Sequence, residues 1–167
     1  MSQFLHLSGI PASGKSFFGR WLASKHKYIH VDVEQPGRLH ALGLEIVWNE
    51  CFSKNDASSL AKALKGLGAH VVLDWGFPTR WLHMVEQLKD CGFSVWWFDA
   101  DHKQARSEFI HRGAVSLDAF EKQMAEICRD WVYIKKVFAY NIITTLDAAG
   151  TRSPPEVIYE EIRKSVA

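Results

Sequence analysis

Hydrophobic and polar positions follow two alternating patterns along the chain, one typical of buried strands and the other of amphipathic helices. Short, mainly apolar runs predict five strands, at residues 4–8, 28–32, 71–74, 93–98 and 139–146. Apolar residues spaced three or four apart predict helices at residues 14–26, 57–67, 81–88, 102–112 and 117–134. Residues 38–52 are ambiguous and fit a helix that is interrupted at Gly43. This alternation predicts an α/β fold in which helices cover both faces of a parallel sheet.

Several helix ends carry residues with a known preference for that position. Gly113 is a natural C-terminal cap for the helix before it, and Ser116 is a good N-cap for the helix that follows. Asp56 has the same capping character ahead of residues 57–67. The residues 153–156 read Ser-Pro-Pro-Glu, which predicts a capping box with proline at the first position of a terminal helix.

The most specific local motif lies between the first predicted strand and the first predicted helix. Residues 9–16 fit the pattern G-x-x-x-x-G-K-[ST], in which a glycine-rich turn places backbone N–H groups around a phosphate. Lys15 would reach the outer phosphates of a nucleotide, and the Ser16 hydroxyl would bind Mg²⁺. A plain glycine and serine turn beside a surface lysine is the alternative. The predicted nucleotide-binding residues are Gly9, Ile10, Pro11, Ala12, Ser13, Gly14, Lys15, Ser16 and Phe17.

Three of the predicted strands end on a carboxylate, at Asp32, Asp74 and Asp99. Ligands of open parallel sheets bind outside the carboxyl ends of the strands. Because Gly9 ends the first predicted strand, the glycine-rich turn and the three aspartates should meet at one edge of the sheet.

Composition narrows the class of protein. A chain of 167 residues with 47% hydrophobic residues fits a single domain, residues 1–167, with a substantial core. The net charge of +1 provides no general attraction to nucleic acid, so a polynucleotide substrate is possible but not favoured. The three widely spaced cysteines favour a reduced, cytoplasmic protein. No apolar run approaches the roughly 20 residues that span a bilayer, and we expect neither a membrane association nor a signal peptide.

The phosphate-loop motif, together with the segment Val-Leu-Asp-Trp-Gly-Phe-Pro-Thr-Arg at residues 72–80, resembles the P-loop small-kinase group. This group includes adenylate, shikimate and gluconate kinases, polynucleotide kinase, chloramphenicol phosphotransferase and zeta toxins. The segment is similar to the Leu-Asp-Gly-Phe-Pro-Arg of adenylate kinases, with Trp75 inserted and Thr79 ahead of the arginine. The resemblance implies a three-layer P-loop NTPase fold, with a five-stranded parallel sheet in the order 2-3-1-4-5 and a small lid near residues 104–118. It also implies ATP and Mg²⁺ as cofactors.

The same resemblance suggests roles for the carboxylates at the sheet edge. Asp32 occupies the position of the base that takes the proton of the acceptor hydroxyl, and Asp74 that of the aspartate that orders Mg²⁺ through water. A carboxylate there could instead cap the following loop or helix. Glu34 is a second candidate for the base.

Arginines and tryptophans complete the predicted site. Arg106 and Arg112 resemble the lid arginines that neutralise charge on the transferred phosphoryl group. A separation of six residues places them on different faces of a helix, so both need not reach the phosphates. The residues predicted to lie on the acceptor side are Arg38, Arg80, Trp48 and Trp75, although an exposed arginine or a core tryptophan is an alternative for each.

Histidines 6, 30 and 70 lie in or beside predicted strands, share no metal-ligand spacing and are interpreted as structural. The leading functional hypothesis is an ATP-dependent phosphotransferase that acts on a hydroxyl of a small molecule. One alternative is a polynucleotide 5′-hydroxyl kinase. The other is a nucleotide-binding switch with slow ATPase activity. The sequence leaves the acceptor and the oligomeric state open.

Overall fold

The computed structural model describes residues 3–76, 79–113 and 116–166. The strands are β1 (Gln3–Gly9), β2 (Ile29–Asp32), β3 (His70–Asp74), β4 (Ser94–Ala100) and β5 (Ile142–Leu146). The helices are α1 (Lys15–His26), α2 (Arg38–Ala41), α3 (Glu45–Lys54), α4 (Ser58–Leu67), α5 (Leu82–Asp90), α6 (His102–Arg112), α7 (Leu117–Phe138) and α8 (Pro155–Val166), with a 3₁₀ turn at Thr79–Trp81. Phe77 and Pro78 of the kinase-like segment, and residues 114–115 of the predicted lid, lie outside the described residues.

The strands form one parallel sheet in the order β2-β3-β1-β4-β5, which confirms the predicted fold class. Strand β1 lies in the centre and pairs with β3 on one side and β4 on the other. In the register of β2 and β3, Asp32 is the partner of Asp74. The carboxyl ends of the three strands therefore bring the β1–α1 loop and both aspartates to one edge, as the sequence predicts.

Two hydrophobic cores cover the two faces of the sheet. On one face, Phe18 and Leu22 of α1 and Ile158 and Ile162 of α8 pack on Leu5 and other strand residues. On the opposite face α4, α5 and α7 cover the sheet. Their buried residues are Leu60, Ala61, Leu64, Leu82, Met84, Val85, Leu88, Phe120, Met124, Ile127, Ile134, Val137 and Phe138. The spacing of three and four residues along α7 is thus a core-facing stripe.

The element ends confirm some local predictions and correct others. Gly113 ends α6 with φ 62°, and the Ser116 hydroxyl accepts the Ala119 amide at the start of α7. The capping box at residues 153–156 is wrong in detail, because the Ser153 hydroxyl donates to the carbonyl of Thr144 and α8 begins at Pro155.

Two other boundaries also differ from the predicted ones. Asp56 accepts the amide and the hydroxyl of Ser58, although the residue directly before α4 is Ala57. Strand β5 begins at Ile142 rather than Ala139, since α7 continues through Phe138 and the chain turns at Ala139 with φ 49°. The ambiguous stretch 38–52 contains α2 and α3, separated at Gly43, where φ is 68°.

An aromatic cluster holds α3 over the carboxyl end of β3. The ring of Trp75 lies 5.1 Å from that of Trp48 and 5.6 Å from that of Phe52, with edge contacts in both cases. Phe52 in turn contacts Trp81, at a centroid distance of 4.9 Å. Only 8% of Trp75 is exposed, so its indole is a packing element that joins the sheet to the α3 segment.

Two findings bear on the expectations drawn from composition. Cys51, Cys91 and Cys128 are free thiols. Among residues 3–76, 79–113 and 116–166, none of the helices combines the length and the apolar character that crossing a bilayer requires.

The aromatic cluster generates a stability prediction. Trp75→Ala should lower the free energy of unfolding by about 3–5 kcal/mol, because it removes a buried ring and leaves a cavity between α3 and β3. Ile46→Ala is the control, since Ile46 lies on α3, the helix that Trp75 packs against, and is 75% exposed. The control should change stability by less than about 0.5 kcal/mol. Urea denaturation measures both, and equal effects of the two variants would contradict the packing role of Trp75.

Candidate phosphate-binding site

The loop between β1 and α1 has a backbone that curls tightly before the helix. Three of its residues have positive φ, namely Gly9 (153°), Ala12 (63°) and Gly14 (94°). A Cβ on Gly9 would overlap the backbone carbonyl of Phe98, so glycine is required there. Ala12 has a side chain, and its left-handed conformation costs about 1–2 kcal/mol unless contacts elsewhere stabilise it.

The lysine that follows Gly14 binds two carbonyl groups of the loop. Lys15 Nζ donates to the carbonyl oxygens of Ile10 at 2.9 Å and Gly9 at 3.3 Å. It also lies 3.4 Å from the hydroxyl of Ser13. The lysine is 8% exposed, and burial lowers its pKa although the carboxylates of Asp74 and Glu34 act in the opposite direction. The ammonium is therefore poorly solvated, which strengthens its attraction to a bound anion.

Two residues from β5 and the segment after it bind the carbonyls of Ser13 and Ala12 in the loop. The Thr145 hydroxyl, at the end of β5, contacts the carbonyl oxygens of both Ser13 and Asp99. Arg152 donates from Nη2 to the carbonyl of Ala12 at 3.3 Å. The same Nη2 lies 3.7 Å from Oε2 of Glu108. These bonds fix the direction in which the loop carbonyls point.

The loop N–H groups are left with fewer partners than the carbonyls. Within the part of the chain that the structure describes, the amides of Ala12 and Gly14 donate to no backbone carbonyl. Together with the N-terminus of α1 they are hydrogen-bond donors and a positive dipole end suited to an anion. Arg152, Thr145 and Lys15 thus arrange the loop as a phosphate cradle.

A cavity of about 340 Å³ opens beside this cradle. It is lined by Gly9, Pro11, Ala12, Gly14, Lys15, Ser16, Phe17, Arg20, Glu34, Gly76, Phe109, Arg112 and Gln123. Seven of these residues belong to the predicted nucleotide-binding set, and three are cationic. The cavity is therefore open to an anionic ligand and carries one carboxylate, that of Glu34, on its wall.

Asp74 lies next to the loop in a buried polar group. It is 2% exposed, and its Oδ2 lies 3.4 Å from Nε2 of His30. Burial alone would raise the pKa of Asp74, but the hydrogen bond from His30, the charge of Lys15 and a hydrogen bond from Ser16 outweigh it and lower the pKa. The carboxylate is therefore ionised, as a metal ligand must be.

Possible metal ligands converge at this point. One ligand atom from each of His30, Asp32 and Asp74 lies within 4.8 Å of the other two. The carboxylate oxygens of Asp32 and Asp74 are donors of the type that Mg²⁺ prefers. The residues present therefore fit a divalent cation beside the phosphate cradle.

The two candidate bases occupy different positions. Oδ1 of Asp32 accepts the backbone amide of Glu34 at 3.0 Å, so this carboxylate stabilises the turn after β2. Glu34 itself lines the cavity, and a Cβ on Gly76 would overlap its carboxylate. Loss of solvation raises the pKa of Glu34, opposed by Lys15 and reinforced by the negative charges of Asp74 and Asp32.

Only one of the two predicted lid arginines is on the cavity wall. Arg112 lines the cavity and is the last residue of α6, next to the C-cap Gly113. Arg106 instead pairs with Glu121 of α7, at 2.7 Å between Nε and Oε1. The six-residue separation accounts for the difference, since it places the two guanidinium groups on different faces of α6.

The predicted acceptor-side residues do not converge on the cavity. Arg38 donates from Nε to the backbone carbonyl of His30 at 2.9 Å. Arg80 is 3.8 Å from Glu126, and its side chain is largely exposed. Trp48 and Trp75 pack against each other in the aromatic cluster. Within the described residues, none of the four lines the cavity beside the loop, and their contact with an acceptor stays a prediction.

Sequence reasoning missed several residues of this site. His30 was interpreted as structural, yet it lies against Asp74 because β2 and β3 are neighbours in the sheet. Arg152 is 140 positions from the carbonyl that it binds, and no local pattern marks it. Thr145 had one signal, since it is a polar residue near the carboxyl end of a predicted strand, where ligands bind.

Comparisons with solved structures show the fold at low sequence identity. A shikimate kinase from Acinetobacter baumannii, in complex with shikimate, superposes with a TM-score of 0.60 at 14% identity, over 99% of this chain and 93% of that one. A gluconokinase from Sinorhizobium meliloti 1021 gives 0.53 at 14% identity, over 96% and 89%. A deoxyadenosine kinase from M. mycoides with bound dATP gives 0.53 at 14% identity, over 99% of both chains. All three are P-loop small kinases.

No protein-family model matches the chain, and no curated protein sequence matches it. The likeness to the three solved structures shows that the chain shares the fold of P-loop small kinases.

The support of the loop by β5 can be tested through stability. Thr145→Val keeps the shape of the side chain but leaves the carbonyls of Ser13 and Asp99 without their hydroxyl partner. Unfolding free energy should fall by about 1–3 kcal/mol, the usual cost of buried polar groups that lose a partner. Thr144→Val is the matched control, because Thr144 is exposed and adjacent. Denaturant titration should separate the two variants, and equal stabilities would show that the hydroxyl does not hold the loop.

Proposed function

We propose that this protein is an ATP- and Mg²⁺-dependent phosphotransferase that moves the γ-phosphate of ATP to a hydroxyl of a small molecule. The observation that carries the proposal is the buried Lys15 in a loop whose carbonyls are bound and which lines a cavity with three cationic residues. The solved structures with this fold support a kinase at the general level, since they include kinases for gluconate, shikimate and deoxyadenosine.

The residues of the loop are suited to hold the phosphates of ATP. Lys15 is a buried cation that loses little further solvation when it meets a phosphate, and the loop amides add hydrogen bonds without reorganisation. Arg112 also lines the cavity, and its guanidinium is suited to neutralise charge on the transferred group. We infer that Arg112, rather than Arg106, has this role.

Ser16 and Asp74 are the residues that would hold Mg²⁺. The ion, when bound, would neutralise charge on the phosphate oxygens. Asp74 is fitted to this role because it is buried and ionised and lies at the carboxyl end of β3, beside the loop that carries Ser16.

For the proton of the acceptor hydroxyl, the geometry favours Glu34 over Asp32. Glu34 is on the wall of the cavity, and its pKa is raised, which makes the carboxylate a stronger base. Asp32 is engaged by the amide of Glu34 and lies beside Asp74 in the sheet. In this arrangement Asp32 orients the turn that carries Glu34, and Glu34 accepts the proton.

The predicted lid near residues 104–118 would complete the site. Helix α6 ends at Arg112 and is capped by Gly113 in a left-handed conformation, and α7 begins at Leu117, directly after its N-cap Ser116. Because Phe109 and Arg112 of α6 line the cavity, movement of this segment would bring an aromatic ring and a guanidinium toward the phosphates. Closure of such a segment excludes water and limits hydrolysis of ATP.

The function is tested by turnover of ATP with and without a panel of acceptors. The panel should contain hydroxylated acids and sugars, nucleosides and 5′-hydroxyl oligonucleotides. We expect at least one small hydroxylated compound to stimulate ADP release strongly, and Lys15→Met to abolish most of that stimulation at an unchanged melting temperature. Stimulation by oligonucleotides alone would indicate a polynucleotide kinase. Tight ATP binding without any acceptor effect would indicate a nucleotide-dependent switch.

The choice of base generates a separate prediction. Glu34→Gln should lower transfer to the acceptor by roughly 10²–10⁴-fold while it leaves ATP affinity nearly unchanged, since the amide keeps the shape and loses the basicity. Asp32→Asn keeps an oxygen that can accept the Glu34 amide, so its loss should be smaller. Single-turnover kinetics with the identified acceptor measure both. The assignment to Glu34 is wrong if Asp32→Asn loses the larger share of the rate.

A further inference from the structure

His30 is a buried residue for which the phosphate loop, the base and the arginines leave no role. We infer that His30 is a positioning residue for the metal site, which holds the Asp74 carboxylate in the orientation that binds a divalent cation. The inference rests on the proposed function, because it concerns the same cation. It adds a residue from β2 that touches neither nucleotide nor acceptor in the proposed site.

The sheet brings His30 and Asp74 to the same face. Asp32 pairs with Asp74 in register, and His30 precedes Asp32 by two positions, so all three side chains point to the α1 side of neighbouring strands. His30 is 7% exposed, and its Nε2 lies 3.4 Å from Oδ2 of Asp74. With Nε2 protonated, the imidazole donates to Oδ2, and Oδ1 of Asp74 is left to bind a cation.

Helix α1 confines the imidazole in this place. Gly19 lies in the middle of α1 and is buried over His30, and a Cβ at Gly19 would overlap the Nε2, Cδ2 and Cε1 atoms of the ring. Glycine in a helix interior costs about 1 kcal/mol relative to alanine. Here the missing side chain makes the room that the imidazole occupies between the helix and Asp74.

The main chain of His30 is also held, by a side chain from α2. The carbonyl of His30 accepts from Nε and Nη2 of Arg38, at the start of α2. The side chain of His30 is therefore fixed by the helix above and its main chain by the arginine. Rigid support of this kind is what an outer-shell residue needs in order to orient a metal-binding carboxylate.

A second buried histidine shows that burial alone does not confer this role. His6 is fully buried in β1, on the opposite face, where its Nε2 is 2.8 Å from the hydroxyl of Ser8. Burial lowers the pKa of His6 to about 3, so the ring is neutral, and the hydroxyl of Ser8 in turn donates to the carbonyl of Trp75. His6 thus contacts a hydroxyl that is bonded to the backbone, whereas His30 contacts the carboxylate of Asp74.

The test measures how much Mg²⁺ strengthens nucleotide binding. Affinity for a non-hydrolysable ATP analogue is determined by calorimetry in Mg²⁺ and in EDTA, and the ratio of the two dissociation constants is the readout. His30→Leu removes the donor and should reduce this ratio by about 10-fold or more, as expected for a hydrogen bond to a charged group. His30→Gln keeps an N–H donor at a similar distance and should recover most of the ratio. Affinity in EDTA should stay within about threefold in both variants, because the phosphate loop is unchanged.

A second variant reaches the same contact from the helix. Gly19→Ala places a methyl group where the imidazole lies, while it improves the helix propensity of α1. It should reduce the Mg²⁺ ratio in the same way as His30→Leu. Gly66→Ala is its matched control, since Gly66 is a helical glycine of α4 whose added Cβ would meet no atom within 4 Å. His6→Leu controls for the loss of a buried imidazole, and both controls should keep the wild-type ratio.

The outcomes separate this inference from the proposed function. If the wild-type protein binds the analogue equally well in Mg²⁺ and EDTA, the metal site of the proposed function is wrong, and the role of His30 is overturned with it. If the wild type shows a strong Mg²⁺ dependence that His30→Leu and Gly19→Ala both retain, the proposed function stands and the positioning role of His30 is refuted. If either His30→Leu or Gly19→Ala melts below the assay temperature, the other variant decides the test. Both disturb the contact between His30 and Asp74, one from β2 and the other from α1.

Discussion

The buried ammonium group of Lys15 is the constraint on which the arrangement of the candidate site depends. An amino group that is 8% exposed loses most of its hydration, and its charge must be compensated by nearby dipoles and carboxylates. The carbonyls of Gly9 and Ile10 supply the dipoles, and Asp74 supplies the nearest counter-charge. These groups stabilise the cation without saturating it, so an anion that enters the cavity meets a charge that has already lost its water.

The compensation of this charge sets requirements for the surrounding structure. The loop must curl so that its carbonyls reach Lys15, which requires positive φ at Gly9, Ala12 and Gly14. Only parallel strands in this order place the loop beside the ends of β3 and β4. Thr145 and Arg152 then bind loop carbonyls from the side of β5. Preorganisation of the loop is thus distributed over elements that are distant in sequence.

The parts of this structure that sequence predicts are those set by neighbours along the chain. The strand, glycine-rich loop and helix at residues 3–26 follow from apolar spacing, two glycines and a helix start. The order of the strands was predicted only from the resemblance to a kinase group. The spacing of residues within one strand does not indicate which other strand lies beside that strand. Asp74 was a metal candidate since it ends a strand, while His30 was not, because its contact with Asp74 spans 44 positions. Local patterns carry no information on such pairs.

Tertiary contacts add information that the residue type does not carry. Ser153 has the residue type of a helix cap, but its hydroxyl donates to the carbonyl of Thr144. Arg38 and Trp75 have residue types that bind ligands, and each also has a partner inside the protein, while their contact with an acceptor stays a prediction. Asp32 was the expected base, and the neighbouring Glu34 is the carboxylate that reaches the cavity wall. In each case tertiary contacts decide among roles that the residue type leaves open.

The central claim is that the loop around Lys15 recognises the β- and γ-phosphates of a nucleotide. It is tested most directly by calorimetric affinities for ATP, ADP and AMP in the presence of Mg²⁺. The account predicts that each phosphate removed weakens binding by about 10-fold or more, because each takes away hydrogen bonds to charged or buried groups. Equal affinity for ATP, ADP and AMP, or no binding of any of them, would contradict it.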